Sequence, residues 1–341
     1  MNFISDNAYG ASPQILASLN AVNGGTETSY GEDAVTARVA EKLGAIFEHE
    51  VAVFPVVTGT AANALALAAL CPPYGAVLCH KDSHIAVDEC SAPEFFTGGA
   101  KLALLDGARA KLTPQAIAQG RARFGSGVHS PKPSAVSITQ ATELGTIYTR
   151  DEIKTIAELA HSHGMTLHMD GARFANALVS LGCTPAQMTW KAGVDALSFG
   201  ATKNGALCAE AVVFFDRTRA EEFEYRRKRG GHLLSKMRFI SAQLEAYLEG
   251  DLWLANAKRA NALAKNLGDG LAAIPGVTVA SPVEAHGVFV WMPKPLAARL
   301  RKQGATFYDW VTEPERVMVR LIVSFATPEA DVAKFIETAK G

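Results

Sequence analysis

Two segments of the chain carry side chains whose types and placement suit chemistry. In Thr166-Leu167-His168-Met169-Asp170-Gly171-Ala172-Arg173, an aspartate closes an apolar, strand-like run and an arginine follows shortly after. Open α/β sheets bind ligands beyond the carboxyl ends of their strands, so Asp170 is placed to face a cationic ring nitrogen. Arg173 is placed to grip a carboxylate or phosphate through two parallel hydrogen bonds. The second segment, Ala196 to Gly205 (ALSFGATKNG), sets Lys203 just beyond the next strand pattern, among small and hydroxylic residues. A lysine in such surroundings can condense with an aldehyde. Ordinary structural roles exist for both: an aspartate can cap a helix, and a lysine can snorkel from an apolar strand.

A third piece, Thr58-Gly59-Thr60-Ala61, lies between a strand pattern and a helix pattern. Small residues there admit an anion to the backbone N–H groups of the helix N-terminus, and Thr60 adds a hydroxyl. The same glycine can serve steric ends alone, and the segment is neither a P-loop nor a dinucleotide fingerprint. Together the three pieces supply a Schiff-base lysine, an acidic partner for a pyridine nitrogen and a phosphate cup. Those are the requirements of pyridoxal phosphate.

Positioning these residues needs a sheet whose strands end side by side. From Glu32 to about Phe215 the chain alternates helix and strand patterns. Val35, Val39, Leu43 and Phe47 recur at fours, as on one face of a helix. Strands are expected at 50–57, 76–79, 102–105, 135–139, 166–169, 196–199 and 211–215. The helix between two of them opens on the capping box Thr149-Arg150-Asp151-Glu152 and closes near Gly164. Strands separated by helices predict an α/β fold with a mostly parallel central sheet. Long helical stretches are expected over 216–272, then short strands at 277–280, 287–291 and 318–324 and a helix at 328–339. This predicts a large domain over 1–245, N-terminal segment included, and a smaller α+β domain over 246–341.

Composition narrows the classes. Lysine plus arginine is 33 against 34 aspartate plus glutamate, a net charge of −1. Such a balance disfavours dedicated nucleic-acid binding and leaves self-association unopposed. The basic run Arg226 to Arg229 follows Glu221, Glu222 and Glu224 and reads as a solvated helix face. The longest apolar run, Ala64 to Cys71, is far below the roughly 20 residues that span a bilayer. The N-terminus shows no secretory signal pattern, and five cysteines form no C-x-x-C pair. A reduced, cytoplasmic enzyme is expected. His161, His163 and His168 lack the cysteine or carboxylate companions of a metal site, so no metal is expected.

Over nearly its whole length the sequence resembles the L-threonine aldolases, fold-type I pyridoxal-phosphate enzymes of the aspartate-aminotransferase-like group. The resemblance rests on Ser5-Asp6-Asn7, Ser29 to Asp33, Thr58 to Asn63, His84 with Glu89, Lys111 to Pro114 and His129. It continues through His168 to Arg173, Ser198 to Gly205, Lys236-Met237-Arg238 and Arg320. Thr139 to Tyr148 and Thr189 to Gly205 are similar to the low-specificity threonine and phenylserine subgroup. It implies that Lys203 forms the Schiff base, Asp170 pairs with the ring nitrogen and His84 stacks on the ring and helps move a proton. His129 would lie near the substrate's β-hydroxyl. Gly59, Thr60 and Arg238 would hold the phosphate, with Arg238 reaching in from a neighbouring subunit. Ser5, Arg173 and Arg320 would hold the amino acid's carboxylate, with Tyr30 and Glu89 lining the site. At Thr139-Gln140-Ala141-Thr142-Glu143 the chain departs from the asparagine-containing segment of many relatives.

The implied activity is retro-aldol cleavage of L-threonine, L-allo-threonine or phenylserine to glycine and an aldehyde, by a homodimer or a tetramer built from two dimers. β-Elimination, racemisation and transamination share the cofactor and remain rivals, as does a non-catalytic oligomer partner. The intact Lys203, Asp170 and Arg320 speak against the last.

Overall fold

A computed structural model describes residues 1–341. Seven strands form the main sheet: β1 (Ala52–Val56), β2 (Gly75–His80), β3 (Lys101–Leu105), β4 (Lys132–Thr139), β5 (Thr166–Gly171), β6 (Ala196–Gly200) and β7 (Glu210–Phe214). Their order is β1-β7-β6-β5-β4-β2-β3. The pairings from β3 through β2, β4 and β5 to β6 are parallel, while β7 runs antiparallel to both its neighbours. β2, β5, β6 and β7 are buried along their whole lengths, which is why they read as continuous apolar runs rather than alternating ones.

Helices cover both faces, as the two apolar clusters flanking the sheet require. The helix Ala34–Phe47 buries Val35, Val39, Leu43 and Phe47, the residues of the expected stripe. The helix Arg150–Ser162 carries the expected capping box, with Thr149 and Glu152 satisfying each other's backbone N–H groups. On the opposite face, nearly every residue of the alanine- and leucine-rich helix Gly59–Leu70 is buried.

A second sheet of β8 (Thr278–Val279), β9 (Gly287–Pro293), β10 (Tyr308–Thr312) and β11 (Arg316–Ile322) has the order β10-β11-β9-β8 and is antiparallel. Sequence patterning missed β10. It is an exposed edge strand with a bulge between Asp309 and Val311, so it has no buried face to impose alternation. The helical stretch expected over 216–272 is three helices, Phe223–Arg229, Arg238–Leu248 and Leu252–Ala272, interrupted near residues 230–237 and 249–251.

The helix Leu252–Ala272 joins the two parts. Trp253 and Ala257 pack in the main core, and Leu263, Ala264, Leu267 and Leu271 in a second core with β9 and β11. The division at 245/246 therefore falls inside the helix Arg238–Leu248, just ahead of this shared one. The first residues return to the small part: Phe3 is fully buried in the second core and Asn2 bridges to Thr306. No helix is long and apolar enough to cross a membrane.

Candidate active site

The main sheet delivers its chemistry at one edge. Asp170 closes β5, and Lys203 lies in a single turn, Thr202–Asn204, just after β6. β5 and β6 run parallel with Asp170 opposite Ser198, so Asp170 and Lys203 belong to the carboxyl ends of neighbouring strands. Two glycines make the local geometry possible. A Cβ at Gly171 would lie 2.6 Å from Leu197 Cδ1, and one at Gly205 would lie 2.5 Å from Ser12 Oγ. Gly205 also has φ +121°, which side chains rarely adopt.

Two cavities of about 510 Å³ each share Asn7, His84, Asp88 and Lys203. One is lined by Thr58, Gly59, Thr60 and Glu210. The other is lined by Ser5, Glu143, Arg173, His286 and Arg320. Lys203 thus borders both a helix N-terminus and an arginine-bearing cleft. Gly59 and Thr60 open the helix Gly59–Leu70, so their N–H groups have no acceptor within it. The space beside Gly59 is open, with nothing within 4 Å of where a Cβ would stand. This suits a phosphate, and the donor set fits pyridoxal phosphate: the Lys203 amine and the anion cup share one cavity, and the Asp170 carboxylate stands at the end of β5.

Asp170 is buried and held from behind. Its Oδ1 accepts the Ala172 N–H at 2.9 Å and its Oδ2 accepts Asn63 Nδ2 at 2.9 Å. The same Asn63 amide donates to Glu89 Oε1 at 2.8 Å, and that oxygen lies 2.8 Å from His84 Nδ1. One amide therefore ties Asp170 to the carboxylate behind His84. The hydrogen bond to Glu89 raises the His84 pKa, against the opposing effect of burial. Burial, reinforced by the Arg173 guanidinium, lowers the Lys203 amine from its usual value. A depressed amine spends more of its time neutral, the form that attacks an aldehyde.

Because Glu89 holds the His84 proton, Glu89→Gln is expected to return the His84 pKa downward. Protonated His84 would then persist only up to a lower pH than in the parent. Titration of the imidazole ring by NMR measures it, and an unmoved midpoint would show that Glu89 does not set the charge on His84.

Across the cleft, Arg173 Nε and Nη2 lie 2.9 and 3.3 Å from the two oxygens of Asp6. His286 Nε2 meets Asp6 Oδ2 at 2.9 Å. Burial alone would raise the Asp6 carboxyl, but Arg173 and His286 together hold it well below the ordinary carboxylate range. Arg173 therefore enters the site with one side of its fork already engaged. Arg320 has a free edge. Its Nη2 donates to Ile4 O at 3.2 Å, while its buried Nε has no partner. The guanidinium lies 5.4 Å from the Tyr308 ring centroid and 5.5 Å from that of Trp310, both on β10.

The other expected residues fall in different places. Ser5 lines the cleft and accepts the Asn7 N–H at 3.1 Å. Glu89 is buried behind His84. His129 is exposed in the loop before β4 and borders neither cavity of its own chain. Tyr30 is 48% exposed beneath Lys228, and Arg238 packs on Phe239; neither reaches these cavities. The Tyr30 N–H bonds to Ser235 O, so both belong to one surface region. Of the histidines weighed as metal ligands, His161 pairs with Asp195 at 2.8 Å and His168 lies between the hydroxyls of Ser137 and Ser198. Sequence reasoning assigned no role to Asp6, Asn63, Glu143, Glu210 or His286. Asp6 and Asn63 stood inside quoted motifs, whereas an isolated histidine at 286 carries no local signal.

Residues 2–294 match the family model described as Beta-eliminating lyase. A low specificity L-threonine aldolase of Pseudomonas sp. (strain NCIMB 10558) is 46% identical over 330 residues, 97% of this chain and 94% of the relative. One from Pseudomonas aeruginosa is 47% identical over 311 residues, 91% of this chain and 90% of the relative. Among solved structures, a Leishmania major threonine aldolase superposes with TM-score 0.94 at 28% identity, covering 99% of this chain and 98% of that one.

Proposed function

Since the chain belongs to the beta-eliminating lyase family, we propose that it cleaves L-threonine, L-allo-threonine and related β-hydroxy-α-amino acids such as phenylserine to glycine and an aldehyde. The observation that carries this reading is the position of Lys203. It stands where an anion cradle meets an arginine-lined cleft, beside the end of the strand that carries Asp170. Pyridoxal phosphate, the family's cofactor, supplies an electron sink for the pair released when the Cα–Cβ bond breaks.

The chain's own residues supply orientation and proton control. Gly59 and Thr60 would hold the phosphate and Lys203 the cofactor's carbonyl carbon. Asp170 would keep a proton on the ring nitrogen. Arg320, with Arg173 and Ser5, would seat the substrate's carboxylate and so set which bond at Cα stands perpendicular to the ring. His84, backed by Glu89, would cover the ring and move protons. An aldolase releases glycine and an aldehyde, whereas an eliminating enzyme releases ammonia and a keto acid. Incubation with threonine and phenylserine isomers, followed by assays for both product pairs, tests the reading. Ammonia and keto acid without aldehyde would overturn it.

Arg320→Lys keeps the charge but loses the two-pronged geometry. A charged hydrogen bond is worth about 1.5–3 kcal/mol, so KM for threonine is expected to rise about ten- to a hundredfold. Cofactor absorbance should be unchanged. A KM within about twofold of the parent would remove Arg320 from carboxylate recognition.

We also propose that the working enzyme is a homodimer or a tetramer built from two dimers. Tyr30 and Arg238 both lie outside their own chain's cavities, where a neighbouring copy's site can use them. A fully active monomer by light scattering at micromolar concentration would exclude this. A cytoplasmic location completes the proposal and suits five unpaired cysteines.

A further inference from the structure

Glu143 belongs to the segment that departs from the commoner family pattern, and it lines the cleft on the substrate side of Lys203. Its Oε1 accepts the backbone N–H of His84 at 2.9 Å. Its Oε2 is buried and has no partner. Buried carboxylate oxygens are nearly always satisfied, so an orphan one bordering a substrate cavity points to a proton or a ligand hydroxyl as its partner. His129, the residue expected near the β-hydroxyl, is exposed and borders neither cavity.

We propose that the Glu143 carboxylate hydrogen-bonds the substrate's β-hydroxyl and takes its proton as the Cα–Cβ bond breaks. The inference rests on the aldolase reading above and names the group that performs its proton transfer. The O–H electron pair becomes the second bond of the aldehyde carbonyl. The Cα–Cβ pair passes to Cα, and the proton that Glu143 took is returned there to complete glycine. Substrate becomes glycine plus aldehyde with no further reactant.

The charged surroundings suit the role. Asp170 opposes ionisation of Glu143, and Arg173 lies within electrostatic reach of it. Lys203, His286 and Arg320 share its cavity, while Asp82 and Asp88, the cavity's other carboxylates, are exposed. Burial pushes the Glu143 carboxyl up to about 7, and the hydrogen bond to Glu89 raises His84. Near neutrality Glu143 exchanges its proton readily, as a general base must.

Glu143→Gln in the holoenzyme keeps the shape and the acceptor for the His84 N–H. The turnover number for L-threonine is expected to fall about a hundredfold or more, the usual scale of a lost acid–base group. The acidic limb of its pH profile should vanish. Glycine has no β-hydroxyl, so its dissociation constant should stay within about twofold, and the melting temperature should not move. If the glutamine variant fails to fold, Glu143→Asp decides. A carboxylate set back by one methylene should turn over more slowly yet keep the acidic limb. Cleavage within about threefold of the parent, a persisting limb in Glu143→Gln, a lost limb in Glu143→Asp, or equal losses of turnover and glycine binding would overturn the proposal. Parent enzyme that releases no aldehyde from threonine would instead remove the aldolase reading on which it rests.

Discussion

Replacing Lys203 with alanine is expected to remove covalent capture of pyridoxal phosphate and to lower threonine cleavage by at least about 10⁴-fold, the scale seen when a covalent catalyst is deleted. Lys203 is the lysine that borders both cavities, and burial together with Arg173 already lowers its amine pKa. No other lysine lines either cavity, so no neighbour can substitute. Borohydride reduction of the parent holoenzyme followed by peptide mapping should place the cofactor on the Lys203 peptide alone. The charge of Lys203 is disfavoured where it sits, so the cofactor-free variant should melt no lower than the cofactor-free parent. Cofactor recovered on a different peptide would overturn the whole site assignment.

The second large effect is expected at Asp170. An opposite charge beside a titrating group shifts its pKa by about 1–3 units, so Asp170→Asn should reduce the protonated fraction of the ring nitrogen about ten- to a thousandfold. Asparagine removes the charge and keeps one acceptor oxygen where the carboxylate has two, so it retains only one of the bonds from Asn63 and Ala172. The turnover number should fall by the same factor while the cofactor stays bound to Lys203. Asp170→Ala should be worse, because it also strands the buried Asn63 amide that now donates at 2.9 Å. Turnover within about threefold of the parent for Asp170→Asn would show that Asp170 does not control the ring nitrogen.

These effects fall on residues that the sequence already marked. Asp170 lies at the end of one apolar strand run and Lys203 just beyond the next, and open α/β sheets bind ligands beyond such strand ends. Thr58-Gly59-Thr60 was legible for the same reason, as a strand-to-helix junction of small residues. The helix Arg150–Ser162 was legible because its caps are contacts between residues three apart. The edge strand β10 was not, because nothing buries either of its faces. Arg173 was marked as a free carboxylate clamp, yet Asp6 engages half of it from 167 residues away in sequence.

The sequence by itself determined the α/β architecture and the mostly parallel sheet, and it marked Lys203 as the candidate for the cofactor-bearing lysine. Those follow from periodicity and strand ends, which are properties of neighbouring residues. The tertiary structure decided how the site is wired. Asn63 joins Glu89 and Asp170 across separations of 26 and 107 residues, and His286 reaches Asp6 across 280. It left His129 exposed in the loop before β4 and brought Glu143 to the backbone of His84, 59 residues away. Hydrogen bonds of this range form only after the core has packed and water has left the cleft. No local pattern of residues can announce them.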